Sequence, residues 1–285
     1  MNGFFNVYKQ SGLTSSDVVV RLRGILRART GVRYKVGHMG TLDPAAEGVL
    51  PIAVGSATKL FNYMLDKVKV YRADFVWGVT TDTLDATGTV TGEGPQVSDP
   101  DAVAVACRRL VGTYGQIPPQ YSAKSVDGVR AYDLARRGVE VDLAPRVVTV
   151  YEIVVVRHEA NRFVLDITCS GGTYIRSICR DMAALLGTVG HMAHLTRLRS
   201  GDFAVDDAVS LADIEGDYAA HFLPLARYAE CLPCLSVDEK HRKALDNGMM
   251  YEATCDAPLV QVVLGGVPYG IGHTPNGILK IICRL

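Results

Sequence analysis

The stretch Gly37-His38-Met39-Gly40-Thr41-Leu42-Asp43-Pro44-Ala45-Ala46-Glu47-Gly48-Val49-Leu50-Pro51 decides how this chain is read. Glycines at 37, 40 and 48 open backbone conformations that other residues avoid. Pro44 biases Asp43 away from the helical region and stiffens the mount of its carboxylate. An aspartate held this way is either a turn residue, since Asp-Pro is common in turns, or a functional group. Local chemistry leaves both open. The surrounding segment 31–57 is heavy in glycine and proline and reads as loop.

Upstream, Thr14, Ser15 and Ser16 are helix N-cap candidates, and Val18, Leu22, Ile25 and Leu26 recur at helical spacing. Arg21, Arg23 and Arg27 fall mostly off that stripe. One face of this helix can pack while the other meets an anion. Between residues 21 and 35 stand six bases (Arg21, Arg23, Arg27, Arg29, Arg33, Lys35) and no acid. Between 202 and 217 stand six acids (Asp202, Asp206, Asp207, Asp213, Glu215, Asp217) and no base. The whole chain sums to zero charge, yet a phosphate responds to the local field of one face. The basic run is therefore either a solvated helix face or an anion-binding one.

Downstream, 70–79 alternates as a strand with Tyr71, Ala73, Phe75 and Trp77 on one face. Ser98-Asp99-Pro100 starts a helix, with proline near its allowed first position. Residues 116–146 are polar, carry Pro118-Pro119 and hold a short helix around 132–137. Strands at 147–157 and 162–169 follow, with Asn161 at the turn of a hairpin. Gly171-Gly172-Thr173 leads into a helix ending near Leu186. Beyond Cys231 the pattern restarts: a helix near 238–247, then short strands at 259–264, 269–272 and 278–283. Gly265-Gly266 and Asn276-Gly277 mark turns there. This tail reads as a separate small β-rich domain.

Composition narrows the class. The chain has 285 residues, 48% of them hydrophobic and 21% charged, enough for a packed core and unlike a disordered tail. It holds no run of eighteen apolar residues, which argues against a transmembrane helix. The opening MNGFFNVYKQ lacks the pattern of a secretory signal. Seven cysteines, an odd count, fit a reducing cytoplasm better than a disulfide framework. Cys231 and Cys234 form a C-x-x-C, but no second pair follows at zinc-site spacing, so no metal is expected. No P-loop and no convincing dinucleotide fingerprint is present, so no cofactor is expected.

The stretch 37–51 resembles the signature of the TruB family of tRNA pseudouridine synthases, G-H-x-G-T-L-D-P-x-A-x-G-V-L-P, with every fixed position present. Further segments are similar to family motifs in the right order: Gly12-Leu13-Thr14-Ser15, Gly55-x-Ala57-Thr58-Lys59, Lys69-Val70-Tyr71, and 78–85 with Asp82-Thr83-Leu84-Asp85. Gln116-Ile117-Pro118-Pro119 and Ala131-Tyr132-x-Leu134-Ala135-Arg136 resemble the insertion that grips the T-arm. Gly172-Thr173-Tyr174-Ile175-Arg176 resembles the third motif. The likeness covers about residues 4–225 firmly, and the tail resembles a small PUA-like domain.

The resemblance implies an α+β fold: a mixed, mainly antiparallel central sheet flanked by helices. It implies a catalytic domain over 1–228, with the insertion at about 116–146, and a PUA-like domain over 229–285. The implied reaction converts uridine to pseudouridine at position 55 of tRNA, with no cofactor, no guide RNA and a monomeric enzyme. Asp43 would be the nucleophile, acting on a base flipped out of the T-loop. Arg176 would be the cation that keeps its carboxylate ionised. Tyr71 would stack on the base, Tyr174 and Leu195 would line its pocket, and His38 would fill the space it leaves. Arg21, Arg27, Arg29 and Lys59 are candidates for RNA-backbone contact. Three departures stand out: Gln10 where the family has proline, Gly171 where it often has lysine, and Lys124-Ser125 shifted by one position. Competing readings are an RNA-folding protein that uses the same surface without chemistry, and a guide-dependent synthase.

Overall fold

The computed structural model describes residues 1–65, 67–122 and 141–285, together with the backbone of two short strands, Ser125–Val126 and Val129–Arg130. The helix expected at 132–137 and the motif at 131–136 lie outside the described residues. The chain divides into two compact units. The first comprises Met1–Pro44, Gly48–Leu65 and Phe203–Leu285; the second comprises Ala45–Glu47 and Asp66–Asp202.

In the first unit, the Gly3–Lys9 strand pairs antiparallel with Glu47–Val54, in a register that sets Asn6 against Pro51. Val36–His38 and Leu223–Pro224 extend this pairing. The Glu47–Val54 strand corrects the reading of 31–57 as loop. Its glycine and proline mask an apolar run buried from Gly48 to Val54. A continuous apolar run is the mark of a strand covered on both faces. Of the three glycines in the signature, Gly40 (φ 135°) and Gly48 (φ 101°) adopt left-handed backbone. Gly37 does not; it sits in the Val36–His38 strand.

The Ser15–Thr30 helix starts where its caps predict. Thr14 Oγ1 accepts from the Asp17 N–H at 3.0 Å, and the Asp17 carboxylate accepts from the Thr14 N–H at 2.9 Å. This reciprocal box satisfies two of the orphan donors of the first turn. The Thr14 bonds hold the Asp17 carboxyl below its ordinary pKa. Val18, Val19, Leu22 and Leu26 are buried, while Arg21, Arg23, Arg27 and Arg29 are exposed.

A five-stranded sheet closes the first unit, in the order Cys234–Val237, Val260–Leu264, Val267–His273, Ile278–Arg284, Tyr251–Glu252. The turns at Gly265-Gly266 and Asn276-Gly277 all take positive φ. Leu259, Ile271 and Cys283 from this tail share a core with Phe4, Met39, Val49, Ala53, Leu60 and Met64. Its residues are thus packed against the strands and turn that flank the signature.

In the second unit an antiparallel sheet runs Gly190–Ser200, Lys69–Trp77, Arg162–Cys169, Arg146–Glu159, Gly112–Gln116. The expected face of Tyr71, Ala73, Phe75 and Trp77 is buried throughout. The helices Pro100–Leu110 and Ile175–Leu185 pack on this sheet and on each other. Pro100 opens the first of them behind its Asp99 cap, as expected. The hairpin turn puts its left-handed residue at Ala160 (φ 50°) rather than at Asn161; Asn161 instead donates its side-chain amide to the Trp77 carbonyl.

Removing the helix cap isolates its contribution. Thr14→Ala should cost about 1 kcal/mol, read as a lower urea midpoint at unchanged m-value. A midpoint that does not move would show the cap to be idle.

Candidate active site

Asp43 is half-buried, and the residues on both sides of it are held by the chain's first motif. Ser15 is buried, and its hydroxyl accepts from the Leu42 N–H at 2.9 Å and donates to the Leu42 carbonyl at 3.0 Å. On the other side, the Pro44 carbonyl accepts from the Gly12 N–H at 2.9 Å and from Lys9 Nζ at 3.1 Å. Lys9 has no exposed surface. Its ammonium also donates to the Gln10 carbonyl at 3.1 Å, so part of the cost of burying the charge is offset by acceptors. Gly12 takes φ +90°, a conformation a side chain would strain. Spacing alone does not reveal this clamp, because Lys9, Gly12 and Ser15 lie about thirty residues before the loop they hold.

The Gln10 departure leaves the clamp intact. Lys9 uses the main-chain carbonyl of residue 10, which glutamine and proline both possess. The Gly171 departure has a different outcome. The Arg146 guanidinium lies against Gly172, so close that a side chain at 172 would collide with it. A cation therefore stands beside the third motif without the lysine. The shifted Lys124 lies outside the described residues.

Arg176, which local reading would put on a helix surface, is only 5% exposed. It belongs to the second unit, near the start of the Ile175–Leu185 helix. Its Nη1 donates to the Thr83 carbonyl and its Nη2 to the Tyr121 carbonyl, both at 2.9 Å. The Asp85 carboxylate lies 3.7 Å from Nη1. Asp85 is itself fixed: its Oδ1 accepts from Thr83 Oγ1 at 2.7 Å, Thr87 Oγ1 at 2.6 Å and the Thr87 N–H at 3.0 Å. Between them Leu84 takes φ +60°. Left-handed backbone at a bulky residue is costly and gathers at functional sites. Asp85 was visible only as part of a motif; its place beside the arginine is a product of the fold.

The register brings two further expected residues together. Tyr71 faces Ile167 on one side and Arg197 on the other, and Ala73 faces Leu195. Tyr71 and Leu195 are therefore diagonal neighbours on one sheet face, and both are buried. Buried Lys69 and Arg197 stand in the same two strands; periodicity gives no sign that these cations are inside. Tyr174 caps the Arg176 helix and is half-buried.

The rest of the expected set is in the first unit. His38 ends the Val36–His38 strand and is half-buried. Lys59 is exposed and lines a groove with Asn2, Ser56, Asp246 and the Ile278–Arg284 strand. The Arg29 guanidinium donates to the Glu215 carbonyl inside the acidic stretch. Basic and acidic runs thus meet at this point, and Arg29 is partly committed to the protein. Arg21 and Arg27 point no such bond inward among those described.

Burial disfavours the thiolate form of the core cysteines. It pushes Cys169 up to about 12 and Cys107 to about 11, with Cys179 also raised well above its ordinary value. A thiol is reactive only as thiolate. Cys231 and Cys234 are both exposed. His191 and His194 fall on a strand, engaged with the Val79 carbonyl and with Glu47 respectively.

Residues 24–175 match the model described as TruB family pseudouridylate synthase (N terminal domain). Residues 176–223 match the tRNA pseudouridylate synthase B C-terminal domain. The chain is 42% identical to tRNA pseudouridine synthase B of Syntrophotalea carbinolica over 99% of this chain and 91% of that one. It is 39% identical to the protein of the same name from Clostridium perfringens strain 13, over 87% and 84%. Among solved structures, it is similar to the Cbf5–Nop10–Gar1 complex (TM-score 0.72, 24% identity, 96% of this chain and 78% of that one). The archaeal box H/ACA sRNP Nop10–Cbf5 complex is comparable (TM-score 0.71, 22% identity, 99% and 86%). At these identities the structural likeness speaks to the fold alone.

Ser15→Ala would leave the Leu42 N–H without its acceptor. An orphaned buried donor costs about 1–3 kcal/mol, which corresponds to a factor of about 5–150. The Leu42 amide should lose protection from hydrogen exchange by about that factor while the Ser15–Thr30 helix keeps its own. Unchanged protection at Leu42 would show that Ser15 does not hold the loop.

Proposed function

The chain belongs to the TruB family of pseudouridylate synthases, enzymes that isomerise uridine in tRNA, and from that premise we propose that it acts on the T-loop uridine at position 55, with Asp43 as nucleophile. The observation that supports Asp43 most strongly is the clamp on Leu42 and Pro44. Such a clamp preorganises whatever residue it brackets.

The reaction breaks the bond from C1′ to N1 and joins the same base to C1′ through C5. The C5 proton leaves to solvent and N1 takes one up, so no atom of the base skeleton is lost and no electron changes hands. Asp43 acts as an ionised carboxylate in one of three ways: attack at C1′, attack at base C6, or proton abstraction from the sugar to give a glycal. At C1′ it would also stabilise oxocarbenium character. Arg176 is the cation of this chemistry. Asp85 and two carbonyls hold it in place.

The target base leaves the T-loop stack to react. Tyr71 offers a ring for it, Tyr174 and Leu195 line its pocket, and His38 occupies the space it vacates. The exposed Arg21 and Arg27, with Lys59, take backbone phosphates. The insertion grips the T-arm, the PUA-like tail extends the contact, and the enzyme works as a monomer without guide RNA.

The direct test uses unmodified tRNA labelled with tritium at uridine C5. Without guide RNA the purified chain should release label, and Asp43→Asn should abolish release while keeping tRNA binding; turnover by Asp43→Asn would sink the mechanism. Arg176→Ala should lower turnover far more than affinity, and an unchanged turnover would remove Arg176 from the chemistry. Arg21→Gln with Arg27→Gln should weaken binding and flatten its salt dependence, by up to about 0.9 in slope for each phosphate no longer neutralised. A salt slope that stays put would return those residues to a solvated face.

A further inference from the structure

The end of the Gly112–Gln116 strand is stitched to the start of the Ile175–Leu185 helix. Gln116 is only 1% exposed. Its Oε1 accepts from the Tyr174 N–H at 2.8 Å, and its Nε2 donates to the Tyr174 carbonyl at 3.2 Å. One side-chain amide thus satisfies both main-chain polar groups of a single residue, as a neighbouring strand would. Close by, the Ile117 carbonyl accepts from Ser177 Oγ at 2.9 Å and from Arg180 Nη2 at 3.0 Å. Tyr174 is the N-cap of its helix, and its side chain makes no capping bond. The Gln116 amide therefore holds the main chain of residue 174 itself, beside the Ser177 and Arg180 bonds that tie the next turn to Ile117.

We infer that Gln116 is a positioning residue for Tyr174, rather than part of the RNA grip to which its motif assigns it. The inference rests on the reading of Tyr174 as a wall of the base pocket. Two of the Gln116 side-chain bonds go to the main chain of residue 174 and a longer one, at 3.5 Å, goes to the Tyr114 hydroxyl, so the amide sets the place of residue 174 without engaging its ring. A misplacement of about 1 Å remote from the reacting atoms costs about 100-fold in rate.

The test measures single-turnover release of C5 label from tRNA, alongside tRNA affinity, for the wild type, Gln116→Met, Gln116→Glu, Tyr174→Ala and the double variant Gln116→Met/Tyr174→Ala. Gln116→Met should slow release about 100-fold with affinity unchanged. The double variant should be no slower than the slower single one, since both changes act through residue 174.

Gln116→Glu carries the inference even if Gln116→Met fails to fold. An ionised carboxylate there opposes the Tyr174 carbonyl, whereas the protonated acid both donates and accepts as the amide does. Burial raises a carboxyl above its ordinary value of about 4.3. The rate of Gln116→Glu relative to wild type should therefore recover as pH falls through that raised value. A ratio flat with pH would overturn the inference, and so would weakened affinity at unchanged rate, which is the signature of an RNA grip. Full activity of Tyr174→Ala in an otherwise active chain would remove the pocket reading and this inference together. No release by the wild type would overturn the isomerase assignment first.

Discussion

The structure depends on a short set of bonds that pin the main chain on either side of Asp43. Ser15 takes both polar groups of Leu42, and Gly12 with Lys9 takes the carbonyl of Pro44. A neutral bond of this kind contributes about 0.5–1.5 kcal/mol net, and one to a charged group about 1.5–3 kcal/mol. A few such bonds outweigh the one or two kcal/mol that ordering a loop residue costs. The loop side of each bond is main chain, so the clamp places residue 43 whatever its side chain. What makes it specific is the far side: a glycine at φ +90°, a serine under a helix start and a lysine buried without residual exposure.

Much of the first unit serves this arrangement. The Gly3–Lys9 strand must pair with Glu47–Val54 for Lys9 to reach Pro44. The Ser15–Thr30 helix must start at its capping box for Ser15 to face Leu42. The C-terminal sheet shares a core with Phe4, Val49 and Ala53 of these strands. Truncating the tail would therefore uncover apolar surface directly behind the signature.

The second unit solves a different problem, the burial of an arginine. Arg176 loses most of its hydration, and carbonyls of Thr83 and Tyr121 with the Asp85 carboxylate replace it. A buried charge so surrounded is costly to build and costlier to break. Its position is consequently fixed by segments far apart in sequence. The turn around Leu84 bears backbone strain to present the Thr83 carbonyl, and the stretch 116–121 is tied to the helix by Gln116, Ile117 and Tyr121.

Sequence by itself determined the family, the nucleophile candidate and most secondary structure, because these rest on local chemistry. The helix caps at Thr14 and Asp99, the alternation through Tyr71 and Trp77, and the paired turns of the tail all follow from neighbouring residues. It misread Glu47–Val54 as loop, since Gly48 and Pro51 carry loop chemistry while burial on both faces, which makes the segment a strand, is not a local property. Only tertiary structure decided that Lys9, Arg176, Arg197 and Asp85 are inside. No periodicity announces a buried charge, because its burial is repaid by partners that the fold brings from elsewhere in the chain. Asp43 could be found by reading; what holds it could not.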